Sequence, residues 1–525
     1  MAHIVSTAAV RAALIEGREM ALLDVREEGP YSRGHPLFAV SLPLSRIELK
    51  VLDLVPRSDV PIVLYDDGGG GLVERAEARL GALGYTNVAR LDGGLDGWRQ
   101  AGGEVFIDVN VPSKAFGELV ESRRHTPSLS ATEVDRLIAE HADVVVLDSR
   151  RFEEYRTMSI PTGTSVPGGE LVLRLHDLAP RPETTVIVNC AGRTRSIIGT
   201  QSLINAGIPN PVFALRNGTI GWTLAGLDLD RGAGRRFPEL SAAARAAALN
   251  RARALAERAG VRSVNRDTVE QWRREPKGFT LFLLDVRNPE EFEAGHLPGF
   301  RSAPGGQLVQ ATDEWVGVRH AHLVLADDDG VRATLAASWL IQMGWGNVHV
   351  LDGGIAGDEL EIGPRLPRRP PFPAAGVLLL APEALAAMPD ETVVVDLATS
   401  PRHIAGHVPG AWFVVRARLA EALHRLPAGR RLVLTSCDGT LARYAAADLT
   451  DRPVAVLAGG TRAWEAAGLP IERGLLRAVE EVDDVYKRPY EGTDNAAAAM
   501  QAYLDWEFGL VEQLARDGTH GFQVL

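Results

Sequence analysis

The chain has 525 residues, 46% of them hydrophobic and 24% charged, with a formal net charge of −12. At roughly 150 residues per domain the length predicts about three or four domains, and the composition excludes a disordered, collagenous or coiled-coil chain. The acidic balance argues against a general nucleic-acid or membrane-surface binder, while still allowing one basic loop that holds an anion.

Two cysteines, Cys190 and Cys437, are too few for a disulfide scaffold, and no Cys/His spacing suggests a metal site. The start at Met1 lacks a basic stretch followed by an apolar run and a cleavage site. No uncharged apolar stretch reaches the roughly 18 residues that suggest a membrane span. A cytoplasmic protein with reduced thiols is the expectation.

In chain order, the first predicted elements are a buried strand ALLD ending at Asp24, a second strand PIVLY at 61–65, a helix over 72–83 and the marker LDGGLDGW at 91–98. The same series returns three times. VVVLD ends at Asp148, TVIVN fills 185–189, a helix follows over 196–206, and LRNGTIGW stands at 215–222. LFLLD ends at Asp285, HLVLA fills 322–326, and LDGGIAGD stands at 351–358. TVVVD ends at Asp396, RLVLT fills 431–435, and LAGGTRAW stands at 457–464.

The acid lies 42 residues before the position after the second strand in three copies (Asp24 to Asp66, Asp148 to Cys190, Asp285 to Asp327) and 40 in the fourth (Asp396 to Ser436). From there to the marker's end is 32, 32, 31 and 28 residues. Short apolar runs without alternation are strands buried on both faces of a parallel sheet. The expected fold class is therefore α/β, as four tandem domains with mainly parallel sheets flanked by helices, plus a C-terminal helical tail. The copies are bounded at 1–112, 127–240, 263–362 and 374–475, with the tail at 476–525.

Between copies, the Ala/Arg-rich stretch 241–259 predicts a helix ending at Gly260, and the Pro-rich stretch 363–373 a stiff spacer. In the tail, Met500, Tyr503, Leu504, Leu510, Val511 and Leu514 share one helical face after a cap at Asp494. Such a helix docks across the domains or binds a partner.

Ligands of α/β folds bind at the carboxyl ends of strands, so the four loops after the second predicted strand can be compared. Copy two reads Cys190, Ala191, Gly192, Arg193, Thr194, Arg195, Ser196. Copies one and three begin with Asp66 and Asp327, and copy four reads Ser436, Cys437, Asp438. A thiol at a helix N-terminus, near Arg193 and Arg195, is expected to have a lowered pKa. Gly192 lets successive N–H groups turn inward to form an anion nest. Asp148 and Arg150 predict a structural ion pair below the loop, and Trp222 a core position.

With these motifs the chain resembles the rhodanese family of sulfurtransferases, in four rhodanese-like domains. EFEAGHLPG at 291–299 and AGHVPG at 405–410 strengthen the likeness. The resemblance implies that Cys190 is the nucleophile taking up a sulfane sulfur. Ala191 through Ser196 would line the substrate loop, with Arg193 and Arg195 holding a small anionic donor such as thiosulfate. Cyanide or a thiol would be the acceptor, with neither cofactor nor metal required.

Copy two departs from the family at Met158, Ser159, Ile160 and Pro161, where copy three has Gly295, His296, Leu297 and Pro298. Copies one and three, with Asp at the nucleophile position, are expected to be inactive. Copy four is degenerate, with Cys437 one position out of register. Copies three and four could recognise a partner or self-associate, as in a homodimer, and a scaffold or sulfur relay is the alternative reading. A cysteine phosphatase fits less well, since four residues rather than five separate Cys190 from Arg195.

Overall fold

A computed structural model describes residues 3–275, 278–357, 359–373, 376–449 and 452–525. It contains four five-stranded sheets with one topology: the strands lie in the order first, fifth, fourth, second, third. Every named strand pair is parallel. In copy two the strands are Ser128–Leu129, Val144–Asp148, Thr164–Ser165, Thr185–Asn189 and Val212–Leu215. The Asp-bearing strand, the strand before the loop and the strand before the marker are thus adjacent. This order gathers all three motifs at one end of each sheet, where parallel sheets hold their ligands. Asp358, the last residue of the third marker, lies outside the described residues.

The linker elements follow local chemistry. Ser241 caps the helix Ala242–Ala259 by accepting the Ala244 N–H at 3.0 Å, and Gly260 ends it in the left-handed region at φ +64°. Its buried face, with Ala248, Ala252 and Leu255, packs between Leu171 and Leu175 of copy two and Leu335 of copy three. The Pro-rich spacer has no regular structure and is tied to copy one by Arg365, whose Nη2 donates to Asp53 Oδ1 at 2.9 Å.

Copies pair through equivalent surfaces. Copy two meets copy three where Gly168 and Gly169 face Gly305 and Gly306, so closely that a Cβ on Gly306 would stand 2.9 Å from the Gly169 nitrogen. Copy one meets copy four through Arg416, which donates to Glu48 at 2.7 and 3.0 Å and to Asp448 at 2.9 Å. One apolar core runs through all four copies and the tail, from Leu23 and Leu64 through Phe116, Ile197, Leu284 and Phe413 to Leu510 and Phe522.

The tail departs from expectation. It forms two helices, Ala497–Phe508 and Leu510–Asp517, broken at Gly509, where the missing side chain weakens helical preference. The first helix begins after Ala496 without a side-chain capping bond, and Asp494 pairs instead with Lys487 Nζ at 2.7 Å. Met500, Tyr503, Leu504, Leu510 and Leu514 are buried, whereas Val511 is half-buried. The tail docks across the domains through Ser400 N to Asp484 Oδ2 (2.9 Å), Gln513 Nε2 to the Val105 carbonyl (3.0 Å) and Leu525 N to Gln342 Oε1 (3.0 Å). Among the described residues no helix is long and apolar enough to cross a membrane.

Candidate active site

Cys190 stands directly after the strand Thr185–Asn189, and the helix Thr194–Asn205 begins four residues later. Its carbonyl accepts the Thr219 N–H at 2.9 Å, and that of Ala191 accepts the Ile220 N–H at 2.9 Å. In copy four the Ser436 carbonyl bonds Thr461 N and the Cys437 carbonyl bonds Arg462 N. Ser436 is therefore the counterpart of Cys190, and Cys437 that of Ala191. Below the loop, Arg150 donates to both oxygens of Asp148 at 2.9 and 2.7 Å, and Trp222 is core-packed with its Nε1 on the Asp228 carbonyl. Copy four has no arginine in that place, and His403 Nδ1 meets Asp396 Oδ2 at 2.8 Å instead.

The inactive copies reveal which loop N–H groups face the nucleophile position. Asp327, at the nucleophile position of copy three, accepts Gly330 N and Ala333 N, each at 2.9 Å, while burial and then Asp329 push its carboxyl up to about 8. Asp66 of copy one accepts Gly68 N at 2.8 Å, and Ser436 Oγ accepts Ala442 N at 3.4 Å. The counterpart of Ala333 and Ala442 in copy two is Ser196, whose backbone N–H pulls the Cys190 thiol pKa down. A negative group on the Cys190 side chain would meet the same donors.

Cys190 itself is 1% exposed. Its Sγ–H faces Ser196 Oγ at 3.5 Å, and that hydroxyl donates to the Arg193 carbonyl at 2.8 Å. The expected lowering of the thiol pKa does not hold. Burial pushes it up, and the charge of Arg195 and the bonds from Ser196 offset only part of that. Because the thiolate fraction grows tenfold per pH unit below the pKa, iodoacetamide should alkylate Cys190 about tenfold faster per unit from about pH 7 to about pH 9. Peptide mapping separates it from Cys437, and a flat profile would mean that the thiolate is already formed at neutral pH.

Both loop arginines are engaged by carboxylates. Arg195 forms a two-pronged pair with Glu154 at 2.9 and 2.8 Å, holding that carboxyl far below its usual range against the effect of burial. Copy three repeats this pair as Arg332 with Glu291, again 41 residues apart. Arg193 grips Glu118 at 2.7 and 2.8 Å and also contacts Glu121 and Asn217, with its guanidinium 4.2 Å from the Phe508 ring. A cation at a helix N-terminus opposes the dipole unless an anion compensates, and here protein carboxylates do so.

The tail supplies the remaining wall. A Cβ on Gly192 would stand 3.2 Å from Tyr503 Cε1 and 3.5 Å from Glu507 Oε2. Glu507 is fully buried, accepts the Tyr503 hydroxyl at 2.9 Å and is pushed up to about 8, chiefly by burial and then by Glu118. Glu154 could have been found from its repeated spacing to an arginine. Glu118, Tyr503 and Glu507 carried no such signal, since they lie outside the repeats.

A rhodanese-like domain model matches residues 7–101, 130–225, 267–359 and 381–467. The crystal structure of a thiosulfate sulfurtransferase from Pseudomonas aeruginosa is 58% identical, with a TM-score of 0.97 and coverage of 100% of both chains. A thiosulfate sulfurtransferase from Azotobacter vinelandii is 24% identical over 35% of this chain and 81% of its own length. Another from Pseudomonas aeruginosa is 25% identical over 34% of this chain and 79% of its own.

Proposed function

Since the chain belongs to the rhodanese family, carrying four copies of its domain, we propose that it is a thiosulfate sulfurtransferase that carries sulfur on Cys190. The observation supporting this most directly is that the side chain at the equivalent place, Asp327, accepts two loop N–H groups. A Cys190 persulfide needs the same stabilisation.

In the first step the Cys190 thiolate attacks the outer sulfur of thiosulfate. A Cys190 S–S bond forms, the bond to the sulfonate sulfur breaks, and its electron pair leaves with sulfite. In the second step cyanide or a thiol attacks the outer sulfur, and the S–S electron pair returns to Cys190 as thiolate. The N–H groups of residues 191–196 carry the developing charge. Arg193 and Arg195, paired with Glu118 and Glu154, act as positioning residues that hold the loop around the donor, and Arg195 also favours the thiolate. Both cysteines are free thiols, which suits a reducing cytoplasmic setting.

Mass spectrometry after incubation with thiosulfate tests this reading. The Cys190 peptide should gain one sulfur atom and lose it to cyanide. An adduct on Cys437 instead, or on neither cysteine, would overturn it.

A further inference from the structure

The four loops differ in how they are covered. In copy one, residues 67–70 are exposed; in copy three Asp328 is exposed, and in copy four Asp438. In copy two Cys190, Ala191, Gly192, Arg193, Thr194 and Ser196 are all buried, and Arg195 is half-buried. Among the described residues, copy two is the one copy whose loop is closed over, and a large part of the cover comes from outside its domain. Tyr503 and Glu507 lie on Gly192, Phe508 lies on Arg193, and Met500, Tyr503 and Leu504 form one apolar cluster with Ile220. The helix Ala497–Phe508 places these residues three or four apart, so a single face meets the loop.

A cavity of about 100 Å³ remains between the tail and copy two and reaches the loop at Ala191, the residue that follows Cys190. Its walls include Met158, Ile220 and Arg231 from copy two, and Tyr490 and Met500 from the tail. Met158 stands where the other three copies have Gly34, Gly295 and Gly406. The backbone there keeps its role, since Arg150 donates to the Met158 carbonyl as Arg287 does to that of Gly295. What the change adds is a side chain in the cavity wall. The volume corresponds to about three waters. A compact anion fits between these walls, whereas a tripeptide thiol would have to press past Tyr490 and Met500 to reach the loop.

We propose that the C-terminal tail, through Tyr490 and Met500 together with Met158 of copy two, is the specificity wall of the Cys190 site and restricts sulfur transfer to compact donors and acceptors. This rests on Cys190 being the sulfur carrier. The donor enters the cavity as a small anion beside Arg231, and the acceptor reaches the outer sulfur through the same space once sulfite has left. A bulky thiol would have to lift the helix Ala497–Phe508 from the loop.

The test uses the full chain with thiosulfate as donor and compares cyanide with glutathione as acceptors. The wild-type protein should strongly prefer cyanide. Met500→Ala should raise the ratio of glutathione to cyanide kcat/KM by about tenfold or more, the scale expected when a pocket wall is cut back. Met500→Trp should slow persulfide formation from thiosulfate by a similar factor. Both acceptors read the same folded fraction, so the ratio is insensitive to partial misfolding. Wild-type protein that uses glutathione as well as cyanide, or a ratio unmoved in Met500→Ala, would overturn the tail's role while leaving the Cys190 persulfide standing. Wild-type protein that forms no Cys190 persulfide would remove the premise and the proposal with it.

Discussion

Cys190→Ser should lower thiosulfate-to-cyanide sulfur transfer by roughly 10⁴-fold or more, because covalent transfer loses its nucleophile. Cys437→Ser should retain most of the activity. The contrast follows from register. Cys437 is the counterpart of Ala191, not of Cys190, as the hydrogen bonds of the two loops to their markers show. Burial pushes its thiol up, Asp396 and Asp438 add to that, and Arg402 and Arg46 offset part of it. The backbone N–H that serves the nucleophile position in copy four, from Ala442, goes to Ser436 Oγ. Turnover measured with both variants decides the point, and equal losses would sink the assignment of the chemistry to copy two.

Arg332→Met should destabilise the fold by about 3–5 kcal/mol, the scale for removing one partner of a buried ionic cluster. Arg332 is 2% exposed and binds four carboxylates: Glu170 at 2.7 Å, Glu291 and Asp328 at 2.6 Å, and Asp329 at 2.8 Å. Glu170 belongs to copy two, so the cluster also joins two domains.

The pH dependence has a definite sign. Arg332 outweighs the burial of Glu291 and Asp329 and holds both below their ordinary values. Groups with lowered folded pKa values stabilise the fold above their unfolded pKa, and lose that contribution as the pH falls through the folded value. The gap between wild type and Arg332→Met should therefore be widest near neutral pH and shrink below about pH 4. Denaturant unfolding across that range measures it. A gap independent of pH would mean that the carboxylates are not what Arg332 compensates.

Several elements were legible for simple reasons. The four strand pairs were readable because a strand buried on both faces must be apolar throughout, as at Leu22, Leu23, Val63 and Leu64. The helix Ala242–Ala259 was readable because its ends are local, at Ser241 and Gly260. The tail was read as one helix because its apolar spacing continues through Gly509, where the backbone turns. The charge environment of Cys190 was read less well. The sequence places two arginines beside a thiol, but it does not display Glu154 and Glu118 closing on them, nor the burial that raises the thiol's pKa.

By itself, then, the sequence determined the repeat, the parallel α/β class, and which of four equivalent loops carries a thiol at the nucleophile position. These depend on residue type and spacing along a single repeat. The tertiary structure alone decided that copies pair two with three and one with four, that both loop arginines are held by carboxylates, and that Tyr503 and Glu507 lie over Gly192. Such contacts join residues as far as 368 positions apart, as between Glu48 and Arg416. No local periodicity records a meeting of that kind, because it is set by how four separately formed domains and a tail bury their remaining apolar faces together.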